Sequence, residues 1–233
     1  MQHFIIQQDL STERLHVVDK ELLHQMKNVL RFRVGDACIV LDGQGTQAEG
    51  VIEELQQKGA IILLKNRKTC EAPRRRVRLY CALSKKPATF ELIVQKASEL
   101  GVTDIIPLVT ERCQVRELRK TERLQLIIKE ACEQSERCFI PRLHEVLKWV
   151  ELLAKPPKGL LLAGDPWTYD KSLKEVVRPE TEDLNLIIGP EGGLTLEELE
   201  SVRQAEGTLF LLGKTVLRME TAAIAALSVA MYA

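Results

Sequence analysis

Apolar residues along the chain follow two different patterns, and the change between them falls near residue 72. Before that point, short apolar runs alternate with turn sequences such as Val34-Gly35-Asp36, a pattern typical of short β-strands. One helix is predicted over Lys20–Leu30, with Asp19 as its N-cap. The predicted strand segments are Phe4–Ile6, Cys38–Leu41, Val51–Ile52 and Ile61–Leu64. We therefore predict a small, mostly β domain over residues 1–72.

After residue 72 the pattern becomes an alternation of strands and helices, and the strand candidates are almost entirely apolar. The predicted strands are Val77–Leu83, Ile105–Leu108, Leu160–Ala163, Leu184–Ile188 and Thr208–Leu212. The predicted helices are Thr89–Leu100, Lys120–Gln134, Leu173–Val177, Leu196–Ala205 and Glu220–Tyr232. Apolar strands that alternate with helices are typical of a parallel sheet covered on both faces. We predict an α/β domain over residues 73–233.

Composition adds limits on the class of protein. A hydrophobic content of 45% supplies a core, and 28% charged residues indicate an ordinary water-exposed surface. The sequence contains no apolar stretch of about 18 residues and begins with no signal peptide, so we expect a cytoplasmic protein without a membrane partner. The six cysteines and four histidines stand at no metal-ligand spacing. We expect reduced thiols and no metal site.

Positive charge is concentrated toward the start of the chain, although the formal net charge is zero. Residues 1–78 carry 13 basic and 10 acidic side chains, whereas residues 158–233 carry 7 and 12. Such an imbalance suits contacts with RNA phosphates. A solvated linker beside a strand would explain it equally well. The densest basic run consists of Lys65, Arg67, Lys68, Arg74, Arg75, Arg76 and Arg78.

Two strand ends carry unusual sequences. Ligands of open parallel sheets bind at the carboxyl ends of the strands. The run Leu184–Ile188 leads directly into Gly189-Pro190-Glu191-Gly192-Gly193, where glycines allow a ligand to approach the backbone. A tight strand-to-helix turn would also need glycine, but it does not explain the charge of Glu191. The helix that follows begins with a capping box formed by Thr195 and Glu198.

The second strand end is Leu211–Gly213, followed by a loop and an alanine-rich helix from about Glu220. Gly213-Lys214-Thr215 is not a phosphate-binding P-loop, because the required earlier glycine is replaced by Thr208. No Gly-x-Gly-x-x-Gly motif supports a dinucleotide fold either. Small residues over 222–230 permit close approach of a ligand, a neighbouring helix or a partner subunit. If Ala226 faces a partner subunit, we expect a bulky substitution such as Ala226→Trp to impair dimerisation and activity together.

These two segments resemble the ribosomal small-subunit methyltransferase E family of knotted SPOUT methyltransferases. The similar motifs are Ile187–Thr195 and Leu212-Gly213 with Val216-Leu217-Arg218 and Glu220-Thr221-Ala222. Three further segments are similar to the family: Gln95–Val102, Ile106–Arg112 and Glu130–Ser135. Near the start, His24–Arg31 and Gly35-Asp36 follow the family pattern as well. The resemblance therefore spans nearly the whole chain in order.

The resemblance implies both a fold and a reaction. The N-terminal domain would be a PUA-like RNA-binding β-barrel, and the rest a SPOUT α/β domain with a C-terminal trefoil knot. The cofactor would be S-adenosyl-L-methionine, and the protein would work as a homodimer. The implied reaction is methylation of N3 of a uridine in 16S rRNA, at position 1498 in the reference numbering. The partner would be 16S rRNA or the small ribosomal subunit.

The resemblance also assigns site residues. Arg218 and Glu220 would be catalytic. The implied cofactor-binding residues are Leu162, Ile188, Gly189, Pro190, Glu191, Gly192, Gly193, Leu212, Gly213, Leu217 and Thr221. The implied RNA-binding residues are Arg31, Arg33, Arg112, Gln134 and Arg137.

The chemistry of the reaction fits these residues. Uridine N3 carries a proton, and its removal places negative charge on the flanking carbonyl oxygens. A fixed cation such as Arg218 would stabilise that charge. Glu220 or Glu191 could accept the proton, or either could instead hold Arg218 and the loop in place.

The chain departs from the family pattern at several positions. Lys214-Thr215 replaces the usual Pro-Arg, and Met219 replaces threonine. Cys113 replaces the usual serine, and His3 replaces a common arginine. Two alternative functions stay open at this level: a related knotted methyltransferase acting on tRNA or a ribose 2′-hydroxyl, and a catalytically silent RNA-binding protein.

Overall fold

The chain divides into two compact units in the computed structural model, which describes residues 1–179 and 182–232. The first unit contains Met1–Ala72 together with Cys132–Ile140. The second contains Pro73–Ala131 and the chain from Pro141 onward. The segment Cys132–Ile140, which the sequence pattern groups with the second domain, thus belongs to the first unit.

The first unit is built on one five-stranded sheet. Its strands are β1 (His3–Ile5), β2 (Arg14–Val17), β3 (Ala37–Leu41), β4 (Thr46–Gln56) and β5 (Gly59–Thr69). Their order in the sheet is β1-β3-β4-β5-β2, and only the β1–β3 pair is parallel. Helix α1 (Lys20–His24) starts at Asp19, whose carboxylate accepts the Leu22 N–H at 2.7 Å. It continues as a π-helical turn over Gln25–Val29.

Inward-facing side chains of the strands and of α1 fill the core of this unit. The largest fully buried ones include Phe4, Met26, Ile52 and Ile62. Strand β2 alternates exposed and buried residues, as expected of a strand with one face on the core. The turn and alternation patterns thus predicted a β domain with one helix correctly.

Residues 132–140 are fastened to the first unit by backbone and side-chain contacts. The Glu133 carboxylate accepts the Ile5 N–H at 2.8 Å, and the Gly45 N–H donates to the Cys138 carbonyl at 3.1 Å. Cys70 and Cys138 form a disulfide, with their Cα atoms 6.3 Å apart. The expectation of six reduced thiols is therefore wrong for this pair. These cysteines lie 68 residues apart and meet only because the segment folds back, which spacing could not reveal.

The second unit is an α/β structure whose strands are all parallel. Its strands are β6 (Val77–Ala82), β7 (Asp104–Val109), β8 (Arg142–Leu143), β9 (Leu147–Lys148), β10 (Leu160–Gly164), β11 (Lys171–Ser172), β12 (Leu184–Ile188) and β13 (Thr208–Leu211). The order is β11-β13-β10-β12-β6-β7-β8, and β9 also pairs with β7. The predicted parallel α/β sheet is confirmed.

Six helices accompany this sheet within residues 73–179 and 182–232. They are α2 (Pro87–Leu100), α3 (Thr121–Gln134), α4 (Trp149–Ala154), α5 (Leu173–Val176), α6 (Leu196–Gln204) and α7 (Met219–Tyr232). Helix α3 runs from the second unit into the segment that belongs to the first. Helix α7 packs on α2 and on strands β12 and β6. Because β13, β10 and β12 are neighbouring parallel strands, their carboxyl ends lie side by side at one edge of the sheet.

The small-residue helix α7 is partly inside the second unit. Ala226 has no exposed surface and Ala223, Leu227 and Ala230 are equally buried. Ala226 therefore packs within its own subunit, and the expectation that it could face a partner is wrong. The reason is geometric: small side chains let α7 approach α2 and the sheet closely. The outer face of α7 instead carries Ile224, Ala225, Ser228 and Val229, which are half-buried.

The dense basic run divides into two kinds of side chain. Arg67 donates to the carbonyls of Leu10 and Thr12, and Arg75 donates to that of Arg178. Arg78 lies 3.0 Å from the Asp183 carboxylate. These three arginines therefore hold the fold together. Lys65, Lys68, Arg74 and Arg76 are exposed, and so is Arg67 although its guanidinium is bound to two carbonyls.

The described residues contain neither a membrane-spanning helix nor a metal-binding cluster. Within residues 1–179 and 182–232, no helix has the length and apolar content that a membrane span requires. The same residues contain no group of three histidine, cysteine or acidic side chains arranged to hold a metal ion.

Candidate active site

A cavity of about 630 Å³ opens at the carboxyl ends of β10, β12 and β13 in the second unit. Its size is that of a site for a small molecule or cofactor. Three loops surround it, each following one of these strands. The lining residues are Gly164–Trp167 from the first loop, Ile188–Leu194 from the second, Phe210–Gly213 and Thr215–Glu220 from the third, with Ala222, Lys86, Thr89 and Arg112.

The loop after β12 turns sharply into α6. The Gly193 N–H donates to the Pro190 carbonyl at 2.9 Å, and Gly193 has a φ of +72°, a conformation that other residues rarely adopt. Thr195 then caps α6, with its hydroxyl accepting the Glu198 N–H at 3.1 Å. The capping box predicted for Thr195 and Glu198 is confirmed. The sequence therefore fixes both the turn and the direction of the helix that follows.

Side chains from neighbouring strand ends hold this loop. Arg112 donates to the carbonyl of Gly192 at 2.8 Å and to that of Leu194 at 3.2 Å. The buried Glu198 carboxylate accepts the Glu111 N–H at 2.8 Å, which ties the segment after β7 to α6. These bonds immobilise the backbone that faces the cavity.

Glu191 is anchored from the end of β6. The Ser84 hydroxyl donates to the Glu191 carboxylate at 2.6 Å and itself accepts the Lys86 N–H at 3.1 Å. One carboxylate oxygen of Glu191 is therefore committed to the fold. Glu191 also lines the cavity.

Arg218 and Glu220 belong to the loop after β13 and to the first turn of α7. Both line the cavity, and Arg218 is exposed. Within the part of the chain that the structure describes, neither side chain makes a hydrogen bond or an ion pair. An Arg218–Glu220 salt bridge that only shapes the loop is therefore absent there. Residues two apart at a helix start do not face each other, which explains its absence.

Gly213, in the same loop, borders empty space. A Cβ atom placed on it would meet no protein atom within 4 Å. The glycine is therefore not required by packing against the protein. It leaves room on the cavity side, as a site for a cofactor requires.

The loop after β10 forms the third side of the cavity. Asp165 is 7% exposed, and its carboxylate accepts the N–H groups of Trp167 at 2.9 Å and Thr168 at 2.7 Å. Its own N–H donates to the Phe210 carbonyl at 3.1 Å. Trp167 projects from this turn and is 77% exposed while also lining the cavity.

A buried thiol lies at the end of β6, the strand that precedes Ser84. Cys81 lies at the end of β6 with no exposed surface. Burial raises the pKa of its thiol, and nearby Cys113 and Glu191 raise it further. Because the reactive form of cysteine is the thiolate, Cys81 does not serve as a nucleophile here.

The structure brings together most of the residues that the sequence assigned to the cofactor. Nine line the cavity: Ile188, Gly189, Pro190, Glu191, Gly192, Gly193, Leu212, Gly213 and Leu217. Leu162 instead lies in the core within β10, and Thr221 is exposed on α7; neither is among the lining residues. Sequence reasoning missed Ser84, Lys86, Asp165 and Trp167. Asp165-Pro166 directly after a buried strand was the one available signal.

The residues expected to bind RNA fall in both units. Arg31 and Arg33 are exposed in the first unit and make no ion pair with any residue in the described ranges. Gln134 is exposed, and Arg137 is half-buried, with burial lowering the pKa of its guanidinium. Arg112 belongs to the second unit and lines the cavity.

The families that the chain matches are RNA methyltransferase families, which supports a cofactor site in this cavity. The RNA methyltransferase domain family matches residues 70–231, and the RNA methyltransferase PUA domain family matches residues 18–65. The chain is 30% identical to the ribosomal RNA small subunit methyltransferase E of Bacillus subtilis, over 100% of this chain and 96% of that protein. The chain belongs to the ribosomal RNA small subunit methyltransferase E family. The first unit accordingly contains a PUA-like domain.

Two solved structures extend the comparison with this family. The Neisseria gonorrhoeae ribosomal RNA small subunit methyltransferase E, bound to S-adenosyl methionine, has a TM-score of 0.88 and 29% identity, with 97% of this chain and 95% of that chain covered. A Legionella pneumophila methyltransferase with bound S-adenosyl methionine has a TM-score of 0.85 and 30% identity, with 98% and 95% covered. The cavity described above fits such a cofactor in volume and in its glycine-lined backbone.

Proposed function

We propose that the protein transfers a methyl group from S-adenosyl-L-methionine to RNA of the small ribosomal subunit, at N3 of a uridine. The observation that carries this proposal is the cavity at the carboxyl ends of β10, β12 and β13, which is lined by glycine backbone and by Arg218 and Glu220, whose side chains have no partner among the residues that the structure describes. Family membership supports the choice of cofactor and of RNA.

The cofactor supplies an electrophilic methyl group, so the protein needs only to place the acceptor nitrogen in line with it and to remove a proton. Ile188–Gly193, Leu212, Gly213 and Leu217 would hold the cofactor. Their backbone is held in turn by Arg112 and by the capped helix α6. Most of the site is therefore formed before a ligand enters.

Arg218 and Glu220 would perform the proton chemistry. The uracil carbonyl oxygens gain negative charge as N3 loses its proton, and the Arg218 guanidinium, which makes no ion pair within the described ranges, would stabilise that charge. Glu220, which has no partner among the described residues, would accept the proton. Glu191 is bound to Ser84, so we assign it the positioning of the loop.

We also infer a homodimer and a C-terminal trefoil knot, both of which are typical of this family. The half-buried outer face of α7, with Ile224, Ala225, Ser228 and Val229, supports an intersubunit contact. The path of the chain supports the knot, because it leaves β13, passes the loop 212–218 and returns as α7 against β12 and β6.

The substrate class can be tested with isotope-labelled S-adenosyl-L-methionine. The purified protein would be incubated with small ribosomal subunits, large subunits and tRNA from a strain that lacks the modification. We expect label only in the RNA of the small subunit. Label in tRNA would contradict the proposal in favour of a related methyltransferase, and cofactor binding without any transfer would indicate a silent RNA-binding protein.

A further inference from the structure

Trp167 is an exposed aromatic side chain that lines the cavity and has no role in the proposed reaction so far. Its indole is 77% exposed, whereas Trp149 is 9% exposed and donates its indole N–H to Ser201 at 3.1 Å. Exposed tryptophan beside a cavity is typical of a ligand-binding surface. The second exposed aromatic nearby, Tyr169, is not among the residues that line the cavity.

The backbone of Trp167 is held by contacts beneath it. The Asp165 carboxylate accepts the backbone N–H groups of Trp167 and Thr168, and the Asp165 N–H is bound to Phe210. The turn is therefore rigid although its tip is exposed. The indole N–H of Trp167 has no partner within residues 1–179 and 182–232, so the ring is not held by the fold itself.

We propose that Trp167 is a stacking surface for the target base. This inference rests on the proposed function, since an enzyme that methylates N3 must take the uridine out of its stack to reach that atom. Stacking on an aromatic side chain replaces part of the lost base stacking. The cations Lys86 and Arg218 also line the cavity, and they suit the phosphates and carbonyls of an incoming nucleotide.

The observations favour the target base over the adenine of the cofactor. A bound cofactor would be enclosed by the loops after β12 and β13, where apolar Ile188, Leu212 and Leu217 already line the cavity. Trp167 stands on the third loop, with most of its surface open to water. A ring in that place would bury most of its exposed surface against a ligand that arrives from solvent and is released in each turnover.

Kinetics of three variants test the proposal. Trp167→Ala is expected to raise KM for small-subunit RNA roughly 5- to 100-fold, with S-adenosyl-L-methionine affinity in the absence of RNA changed less than twofold. Trp167→Phe should restore most of the loss, because it retains an aromatic face. Tyr169→Ala, an exposed aromatic outside the cavity, should behave as wild type. An unchanged KM in Trp167→Ala, or a loss of cofactor affinity, would overturn the proposal.

Fluorescence gives a test that does not depend on catalysis. A single-stranded oligouridine RNA should quench the exposed Trp167 of the wild type, and Trp167→Phe should lose this response while the buried Trp149 stays unaffected. If the wild type methylates no RNA, the proposed function fails, yet the quenching still decides whether Trp167 binds a base. Absence of quenching by oligouridine, or quenching by S-adenosyl-L-methionine alone, would refute the stacking role.

Discussion

Arg218 is the residue on which the proposed chemistry depends most, because its charge faces the cavity without a counter-ion among the described residues. Arg218→Ala should lower the methyl-transfer rate by about 10²–10³, as loss of a transition-state charge partner does. Cofactor affinity should stay near wild type, since the guanidinium holds no part of the cofactor loop. Lys214→Ala is the matched control, as Lys214 is an exposed cation of the same loop that does not line the cavity.

The pH dependence of the Arg218→Ala defect separates a catalytic role from a structural one. Raising the pH deprotonates N3 without help from the enzyme, so the mutant's deficit should shrink as pH rises. A deficit that is constant with pH and accompanied by loss of cofactor affinity would instead make Arg218 part of the scaffold.

Gly213 offers a direct test of the cofactor site. Gly213→Val places its side chain in open space, so the melting temperature should change little while S-adenosyl-L-methionine binding is lost. Gly193→Val should also abolish binding, but with a loss of stability of the order of 1–3 kcal/mol, because its φ of +72° strains any other residue. Calorimetry and thermal melts distinguish the two. Normal affinity in Gly213→Val would place the cofactor elsewhere.

Single residues of the site differ in how far sequence alone could reveal them. Gly189–Gly193 and Gly213 could be recognised from the sequence, because glycines directly after a buried strand indicate a close approach of a ligand to the backbone. Ser84 and Trp167 did not, because their roles depend on which strand ends meet in space. The basic run Lys65–Arg78 was ambiguous for the same reason, since sequence cannot show which arginines already bind backbone carbonyls.

At the level of elements, the loop after β12 depends on a side chain outside it. Arg112 was expected to bind RNA, yet it donates to the carbonyls of Gly192 and Leu194. Arg112→Ala should therefore weaken S-adenosyl-L-methionine binding about 10- to 150-fold even without RNA, the loss typical of one charged hydrogen bond. Calorimetry measures this. A variant with normal cofactor affinity and weaker RNA binding would show that Arg112 acts on RNA alone.

A second feature at the scale of elements is the disulfide between Cys70, directly after β5, and Cys138. Closing a loop of this length contributes up to about 4 kcal/mol by reducing the entropy of the unfolded chain. Cys70→Ser should lower the free energy of unfolding by a comparable amount under oxidising conditions. Under reducing conditions wild type and variant should unfold alike. Equal stability in both conditions would indicate that the bond does not form in solution.

Most elements were predictable from periodicity because they are long or fully apolar. Strand β12 was predicted with the bounds it has, and α7 within one residue. The missed elements are short: β2 has four residues, β8, β9 and β11 have two each, and α4 has six. A segment of two residues shows no hydrophobic periodicity, so such a strand can be recognised only from the neighbouring strand with which it pairs.

At the scale of the whole molecule, RNA binding should depend on exposed rather than structural cations. Replacing Arg31 and Arg33 by alanine should weaken RNA binding and reduce the slope of log affinity against log salt by up to about 2. Cofactor affinity should be unchanged. Arg67→Ala, which removes a cation bound to carbonyls, should lower stability more than it changes that slope. An unaltered slope in the double variant would mean that Arg31 and Arg33 do not contact phosphate.

The identity of the methylated atom is the most direct test of the account as a whole. Small ribosomal subunits that lack the modification would be incubated with the protein and with S-adenosyl-L-methionine carrying a deuterated methyl group, and the RNA digested to nucleosides for mass spectrometry. We expect the label on N3 of uridine, and its absence in the Arg218→Ala reaction over the same time. Label on a ribose 2′-oxygen, on another base or on no nucleoside at all would contradict the account.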